Sequence, residues 1–218
     1  MKDFPFNVVA FDLDGTLADT APDLAAALNH TLERLGRAAI DPESVRHLVG
    51  HGAKSLLRKG LAATGEASEE LVEQGFPIYL DFYADHICAG TRVYPGLDAA
   101  MDTLGERGAA LASERLTHLL LDALGWSGRF AAIVGADTTA ARKPDPLPLH
   151  EAIARAGGGR AAFVGDSITD ADTARAAGVP FVAVSFGFSD RPVEALGADA
   201  LIDDYAQLIP ALERLRAP

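Results

Sequence analysis

Short, wholly apolar runs and longer stretches of helical period alternate along most of this chain. Asn7-Val8-Val9-Ala10-Phe11 carries four apolar residues in succession before Asp12. A run of that length, closed by an acid, reads as a strand buried on both faces, as in a parallel sheet. From Thr20 the period changes. Thr20-Ala21-Pro22-Asp23 has the hydroxyl-x-x-acid form of a helix start with proline in the first turn. Leu24, Leu28, Leu32 and Leu35 then recur at helical spacing until Gly36. Further helices are predicted over Pro42–Val49, Ala53–Ala63 and Ser68–His86, with no strand between Ala18 and about Gly90. Beyond Val93 the pattern alternates. Strands are predicted over Ala109–Ala112, Ala131–Gly135, Ala161–Val164, Phe181–Ser185 and Ala200–Ile202. Helices are predicted from Pro95-Gly96 to about Arg107, then over Glu114–Leu124, Pro146–Ala156, Asp170–Ala177 and Tyr205–Arg216. Strands separated by helices of this length make βαβ crossovers. The expected fold class is therefore α/β, a doubly wound parallel sheet of Rossmann type with an inserted helical domain. Residues 1–17 and 91–218 form the core and residues 18–90 the insert. In such sheets ligands bind beyond the carboxyl ends of the strands, so the residues after each apolar run carry the interest.

Composition narrows the functions open to such a fold. Among 218 residues there are 31 acidic and 19 basic side chains, a formal net charge of −12. A chain this acidic repels phosphate backbones, which argues against a nucleic-acid partner. No apolar run approaches the length that crosses a bilayer, so no membrane partner is expected, and carboxylates cut short the apolar start that a signal peptide needs. The single cysteine, Cys88, allows no internal disulfide and suits a reducing compartment; it reads as a small core residue. A cytoplasmic protein, monomeric or a small homo-oligomer, is expected. The six histidines fall in no zinc-ligand spacing, and Gly50-His51-Gly52-Ala53-Lys54-Ser55 lacks the strand and the Gly-Lys pair of a P-loop.

Carboxylates cluster after the strands. The first is followed by Asp12-Leu13-Asp14-Gly15-Thr16-Leu17, a later one by Asp137 and then Arg142-Lys143-Pro144-Asp145-Pro146, and another by Gly165-Asp166-Ser167-Ile168-Thr169-Asp170. Taken alone, Asp12 and Asp14 next to a glycine fit a solvated turn, and Asp166 and Asp170 fit a helix cap. Together, at several strand ends, they suggest carboxylates held round a hard divalent cation, for which oxygen-only donors suit magnesium. Desolvating such carboxylates together is costly without a cation between them. Asp166 is the natural third ligand after Asp12 and Asp14, and Asp170, one helical turn on, joins or orients the set. A carboxylate so placed can attack phosphorus, with Lys143 supplying fixed positive charge.

These motifs, Asp-x-Asp-Gly-Thr-Leu, Lys-Pro-x-Pro and Gly-Asp-Ser-x-x-Asp in this order, resemble the haloacid dehalogenase superfamily over nearly the whole chain. The resemblance implies a magnesium-dependent phosphoric monoester hydrolase. In it Asp12 is the nucleophile, and Asp14 is the general acid and base whose backbone carbonyl binds metal. Thr16 steadies the first loop, Lys143 balances the aspartyl-phosphate and Asp166 holds magnesium. The helical insert resembles the small cap of that family. Leu48-Val49-Gly50-His51-Gly52-Ala53, Tyr94-Pro95-Gly96, and Phe186-Gly187-Phe188 followed by Gly197-Ala198-Asp199 resemble the bacterial phosphoglycolate phosphatases. That implies a small phosphorylated metabolite, 2-phosphoglycolate, as substrate; Gly50, His51 and Gly52 read as a substrate loop of the cap, or else as a simple turn between two helices. The alternatives are a phosphatase or phosphomutase for another sugar phosphate, and an inactive phosphate-binding relative.

One motif departs from that family. A strand ending in a hydroxyl residue followed by Asn and Lys is implied, yet Gly108-Ala109-Ala110-Leu111-Ala112 runs directly into Ser113-Glu114-Arg115-Leu116, which reads as helix. Four strand residues reach only about 13 Å, short for a core parallel strand. Either residues are missing between Ala112 and Ser113 in the sequence as written, or the protein carries a deletion in which Ser113 is a poor substitute. The well-patterned helix after Ser113 favours the first.

Overall fold

Burial along the apolar runs follows from their composition. In the computed structural model, which describes residues 4–50, 52–106, 111–112, 115–126, 128–134, 138–189 and 191–215, β1 (Val8–Phe11) is buried at every position. So are β6 (Ala161–Gly165) and β7 (Phe181–Val184), as expected for strands covered on both faces. These three and β8 (Ala200–Ile202) form one sheet in the order β1-β6-β7-β8. All of its pairings are parallel, with Phe11 opposite Val164, Val164 opposite Val182 and Val182 opposite Ala200. A second parallel pair joins β4 (Leu111–Ala112) to β5 (Ile133–Val134), and β4 packs beside β1. Helices α7 (Leu147–Arg155) and α8 (Ile168–Ala177) bury Leu149, Ala171 and Ala174 with Ala10, Phe163, Phe181 and Ala183 of the strands. Parallel strands with helices between them confirm the α/β doubly wound class.

The chain divides into two compact units, Met1–Ala18 with Val93–Pro218, and Asp19–Arg92. The second is helical. It contains α1 (Ala21–Arg34), α2 (Pro42–Val45), α3 (Ala53–Thr64) and α4 (Glu69–Asp85). Ser68 caps α4, its side chain accepting from Leu71 N, with Glu69 and Glu70 in the first turn where the helix dipole favours acids. Asn29 closes the turn after α1 from both directions, donating to Ile40 O and accepting from Ile40 N, each at 2.9 Å.

Four expectations are corrected. Residues Ala18–Asp19 (β2) and Arg92–Val93 (β3) form a two-stranded sheet where only helix and loop were predicted; two residues leave no period to read. The helix expected over Pro42–Val49 ends at Val45 and tightens into a 3-10 turn, Arg46–Leu48, before Val49 becomes extended. Gly50 and Gly52 follow at positive φ, 108° and 82°, a conformation that continues no right-handed helix. The closing helix likewise starts as a 3-10 turn, Tyr205–Gln207, before α9 (Leu208–Arg214). Cys88 is half-buried at φ 66° and does not belong to the core. Of the segment on which the missing motif turns, Leu111–Ala112 forms β4, while Ala109, Ala110, Ser113 and Glu114 lie outside the described residues.

Gly60 on α3 shows how closely the helical unit is packed. A Cβ there would stand 2.6 Å from Cδ1 of Leu28, which is fully buried on α1. Gly60→Ala is expected to lower the melting temperature although alanine is the better helix former. Overpacking costs about 1–3 kcal/mol, against about 1 kcal/mol gained in propensity. Gly105→Ala, at the end of α5 (Leu97–Gly105) with nothing within 4 Å of the added carbon, is the control expected not to destabilise. Thermal unfolding of the two variants side by side checks the contrast.

Candidate active site

The carboxyl ends of β1 and β6 are adjacent because the two strands pair in register. Asp12 extends the ladder by one bond, its N–H donating to Val164 O at 2.9 Å. The chain then turns back. Gly15, at φ 81°, permits the turn, and Gly15 N donates to Ala18 O while Thr16 N and Leu17 N donate to Leu13 O. A Cβ on Gly15 would meet Oδ2 of Asp166 at 2.5 Å, so glycine is required here both by conformation and by space. Asp166 is the first residue after β6. Ser167 then caps α8 in a reciprocal box: its hydroxyl accepts from Asp170 N, while Asp170 Oδ2 accepts from Ser167 N at 3.1 Å.

Lys143 reaches this point from the loop between β5 and α7. Its Nζ donates to Asp12 Oδ1 at 2.5 Å and to Asp170 Oδ1 at 2.8 Å. The Asp170 side chain has no exposure, whereas those of Asp12 and Lys143 keep 20% and 31%, so an incoming reagent meets Asp12 and Lys143 first. Asp166, only 2% exposed, has both oxygens held: Oδ1 accepts from Thr16 Oγ1 at 3.2 Å and Oδ2 from Phe188 N at 2.6 Å. Tyr205 OH donates to Thr16 O at 2.7 Å.

Charge at the site is unbalanced. Asp12, Asp166 and Asp170 each offer a carboxylate oxygen, and these lie within 4.8 Å of one another. Burial, with the like charges of Asp170 and Asp14, raises Asp12 to about 7 against the pull of Lys143. Burial and the carboxylates of Asp170 and Asp12 hold Asp166 well above the usual carboxylate range, with Phe188 N–H and Thr16 opposing. Burial works to lower Lys143, but Asp12 and Asp170 outweigh it and raise the ammonium above its ordinary value. One lysine does not compensate for the clustered acids, and a hard cation with oxygen-only ligands fits the donor set.

Of the residues singled out in the sequence, the structure thus gathers Asp12, Asp166, Asp170 and Lys143, with Thr16 against Asp166. Asp14 is half-buried, bridges Ala18 and acts on Asp12 as a neighbouring negative charge, but its carboxylate is not in the three-acid group. Gly50 and Gly52 belong to the helical unit, Gly52 as the N-cap of α3. His51, Ser113 and Asp137 lie outside the described residues. Sequence reasoning missed the hydroxyl of Tyr205 and the N–H of Phe188. No motif marks a backbone donor, and Tyr205 reads only as the start of a helix. Gly187 gave the available hint, because a Cβ there would stand 2.2 Å from Cβ of Asp166.

A sequence model of the haloacid dehalogenase-like hydrolases matches residues 9–184. The chain is 44% identical over 218 residues to a phosphoglycolate phosphatase of Mesorhizobium japonicum, covering 95% of this chain and 96% of that one. It is 43% identical to the phosphoglycolate phosphatase of Caulobacter vibrioides, over 94% and 90% of the two chains. Among solved structures, a predicted phosphoglycolate phosphatase from Haemophilus somnus superposes with a TM-score of 0.86 at 26% identity, covering 94% of this chain and 97% of that one.

Proposed function

The chain belongs to the haloacid dehalogenase-like hydrolases, and from that premise we propose that it hydrolyses 2-phosphoglycolate to glycolate and phosphate through a phosphorylated Asp12. The observation that carries this is Asp12 itself. It is a partly exposed carboxylate at a strand end, bonded to Lys143 and facing two further acids. The substrate is supported by the names and near full-length similarity of the relatives.

In the first step an Asp12 oxygen attacks phosphorus, the bond from phosphorus to the ester oxygen breaks, and Asp14 protonates the departing alkoxide. In the second, the Asp14 carboxylate takes a proton from water, whose oxygen attacks phosphorus. The bond to Asp12 breaks, and the carboxylate and inorganic phosphate are released. Lys143 stays charged throughout and balances the negative charge gained by the phosphorylated aspartate. Thr16 steadies the loop that carries Asp12 and Asp14. Asp12, Asp166 and Asp170, with the Asp14 carbonyl, would hold Mg2+, which when bound neutralises phosphoryl oxygens. The helical unit, Asp19–Arg92, serves as the cap, with residues 50–52 in its substrate loop. The protein works in the cytoplasm, as a monomer or small homo-oligomer. No helix of the described residues is long and apolar enough to cross a membrane.

A screen of small phosphate esters, with magnesium and with a chelator, tests the reading. 2-Phosphoglycolate is expected to be turned over best, and chelation to stop phosphate release. Isomer formation without phosphate release would mark a mutase instead, and binding without any turnover would sink the assignment to an active phosphatase.

A further inference from the structure

Both oxygens of Asp166 are held by parts of the chain far apart in sequence. Thr16 Oγ1 approaches from the loop after β1, and Phe188 N from the loop after β7. Each of these donors is itself fixed by the C-terminal part of the molecule. Tyr205, 1% exposed, donates its hydroxyl to the carbonyl of Thr16, which is fully buried. On the other side Gly187 lets the 186–188 loop press against Asp166, since an added Cβ would come within 2.2–2.6 Å of its side-chain atoms. Phe186, at the start of that loop, packs its ring 5.4 Å from the ring of Tyr205 and 4.5 Å from that of Tyr94, whose hydroxyl donates to Phe186 O. Asp166 therefore sits in a vice whose two jaws share one aromatic support.

We propose that Tyr205 is a positioning residue for cation binding, acting through Thr16 to orient the Asp166 carboxylate. The inference rests on Asp166 being a metal ligand, as read above. Removing the Tyr205 hydroxyl leaves the Thr16 carbonyl buried without its donor. Thr16 is then free to tilt, and Asp166 loses the fixed angle at which its remaining lone pairs are presented. Outer partners of metal ligands affect affinity by about 10–100-fold when lost.

The test is Mn2+ binding to the metal-free full-length protein, followed by electron paramagnetic resonance. Tyr205→Phe is expected to raise the Mn2+ dissociation constant by about tenfold, with the magnesium concentration for half-maximal activity rising in parallel. Leu28→Ala, a fully buried change on α1 of the helical unit, where it packs beside Gly60, is the structural control. It should lower the melting temperature and leave the Mn2+ constant in place. A Tyr205→Phe protein that melts earlier but binds Mn2+ within twofold of wild type overturns the positioning role and leaves the metal reading intact. A wild type that binds no divalent cation overturns both.

Discussion

Asp12→Asn is expected to release no measurable phosphate under conditions in which the parent protein turns over, and to unfold at the same temperature or higher. The substitution keeps the shape of the side chain and an oxygen that can accept from Lys143 Nζ, now 2.5 Å from Asp12 Oδ1. It removes the anionic nucleophile. An amide does not form the acyl phosphate, so the loss is expected to reach about a thousandfold or more, the scale met when a nucleophile is deleted. Stability moves the other way because Asp12 stands among like charges. Burial, Asp170 and Asp14 together raise it to about 7, so its charged form is disfavoured in the folded protein. For a group raised in this way, the stabilisation is present at low pH and is lost as the pH rises through the folded value. A neutral amide removes that loss near and above pH 7 in the metal-free protein. Phosphate release with magnesium, alongside thermal unfolding with a chelator, measures both halves. Strong magnesium-dependent turnover in the variant would end the covalent mechanism proposed here.

Lys143→Met should damage the site in both respects. Its ammonium bonds both Asp12 and Asp170, and the Asp170 side chain is wholly buried. Deleting the cation strands two carboxylates against each other and against Asp166. Breaking a buried ion pair costs about 3–5 kcal/mol; the 31% exposure of the Lys143 side chain places this case near or below the lower figure. Catalysis should fall by about 100- to 1,000-fold, as when a fixed charge opposite the reacting group is removed. The double variant Asp12→Asn/Lys143→Met separates the effects. It should recover part of the lost stability, because one stranded carboxylate is gone, while activity stays absent. Strict additivity of the two changes in unfolding free energy would show that the Lys143–Asp12 contact carries no coupling.

Much of this arrangement was legible before the fold was seen. Val8–Phe11, Ala161–Gly165 and Phe181–Val184 are buried throughout, and a strand covered on both faces must be apolar at each position, so burial writes itself into the sequence. The acids that follow are legible for the converse reason: a carboxylate placed directly after a buried strand is costly without a partner. The unforeseen features are short or made by backbone. β2 and β3 have two residues each, too few for a period. The chain tightens to a 3-10 turn at Arg46–Leu48 within a stretch whose residues read as one helix, and no local pattern marks the left-handed backbone angle of Cys88, φ 66°.

By itself the sequence determined which strands would be buried, which carboxylates would stand at their ends, and that a helical block would interrupt the core. These are properties of residue type and local order, and hydrophobic burial acts on them wherever the chain folds. Tertiary structure alone decided that Lys143 lies between Asp12 and Asp170, and that Tyr205 and Phe188 hold Thr16 and Asp166. Those contacts join positions up to 189 residues apart. Hydrogen bonds of that span arise only once strand order has brought the loops together, and a hydroxyl or a backbone N–H leaves no mark of its partner in the order of the residues.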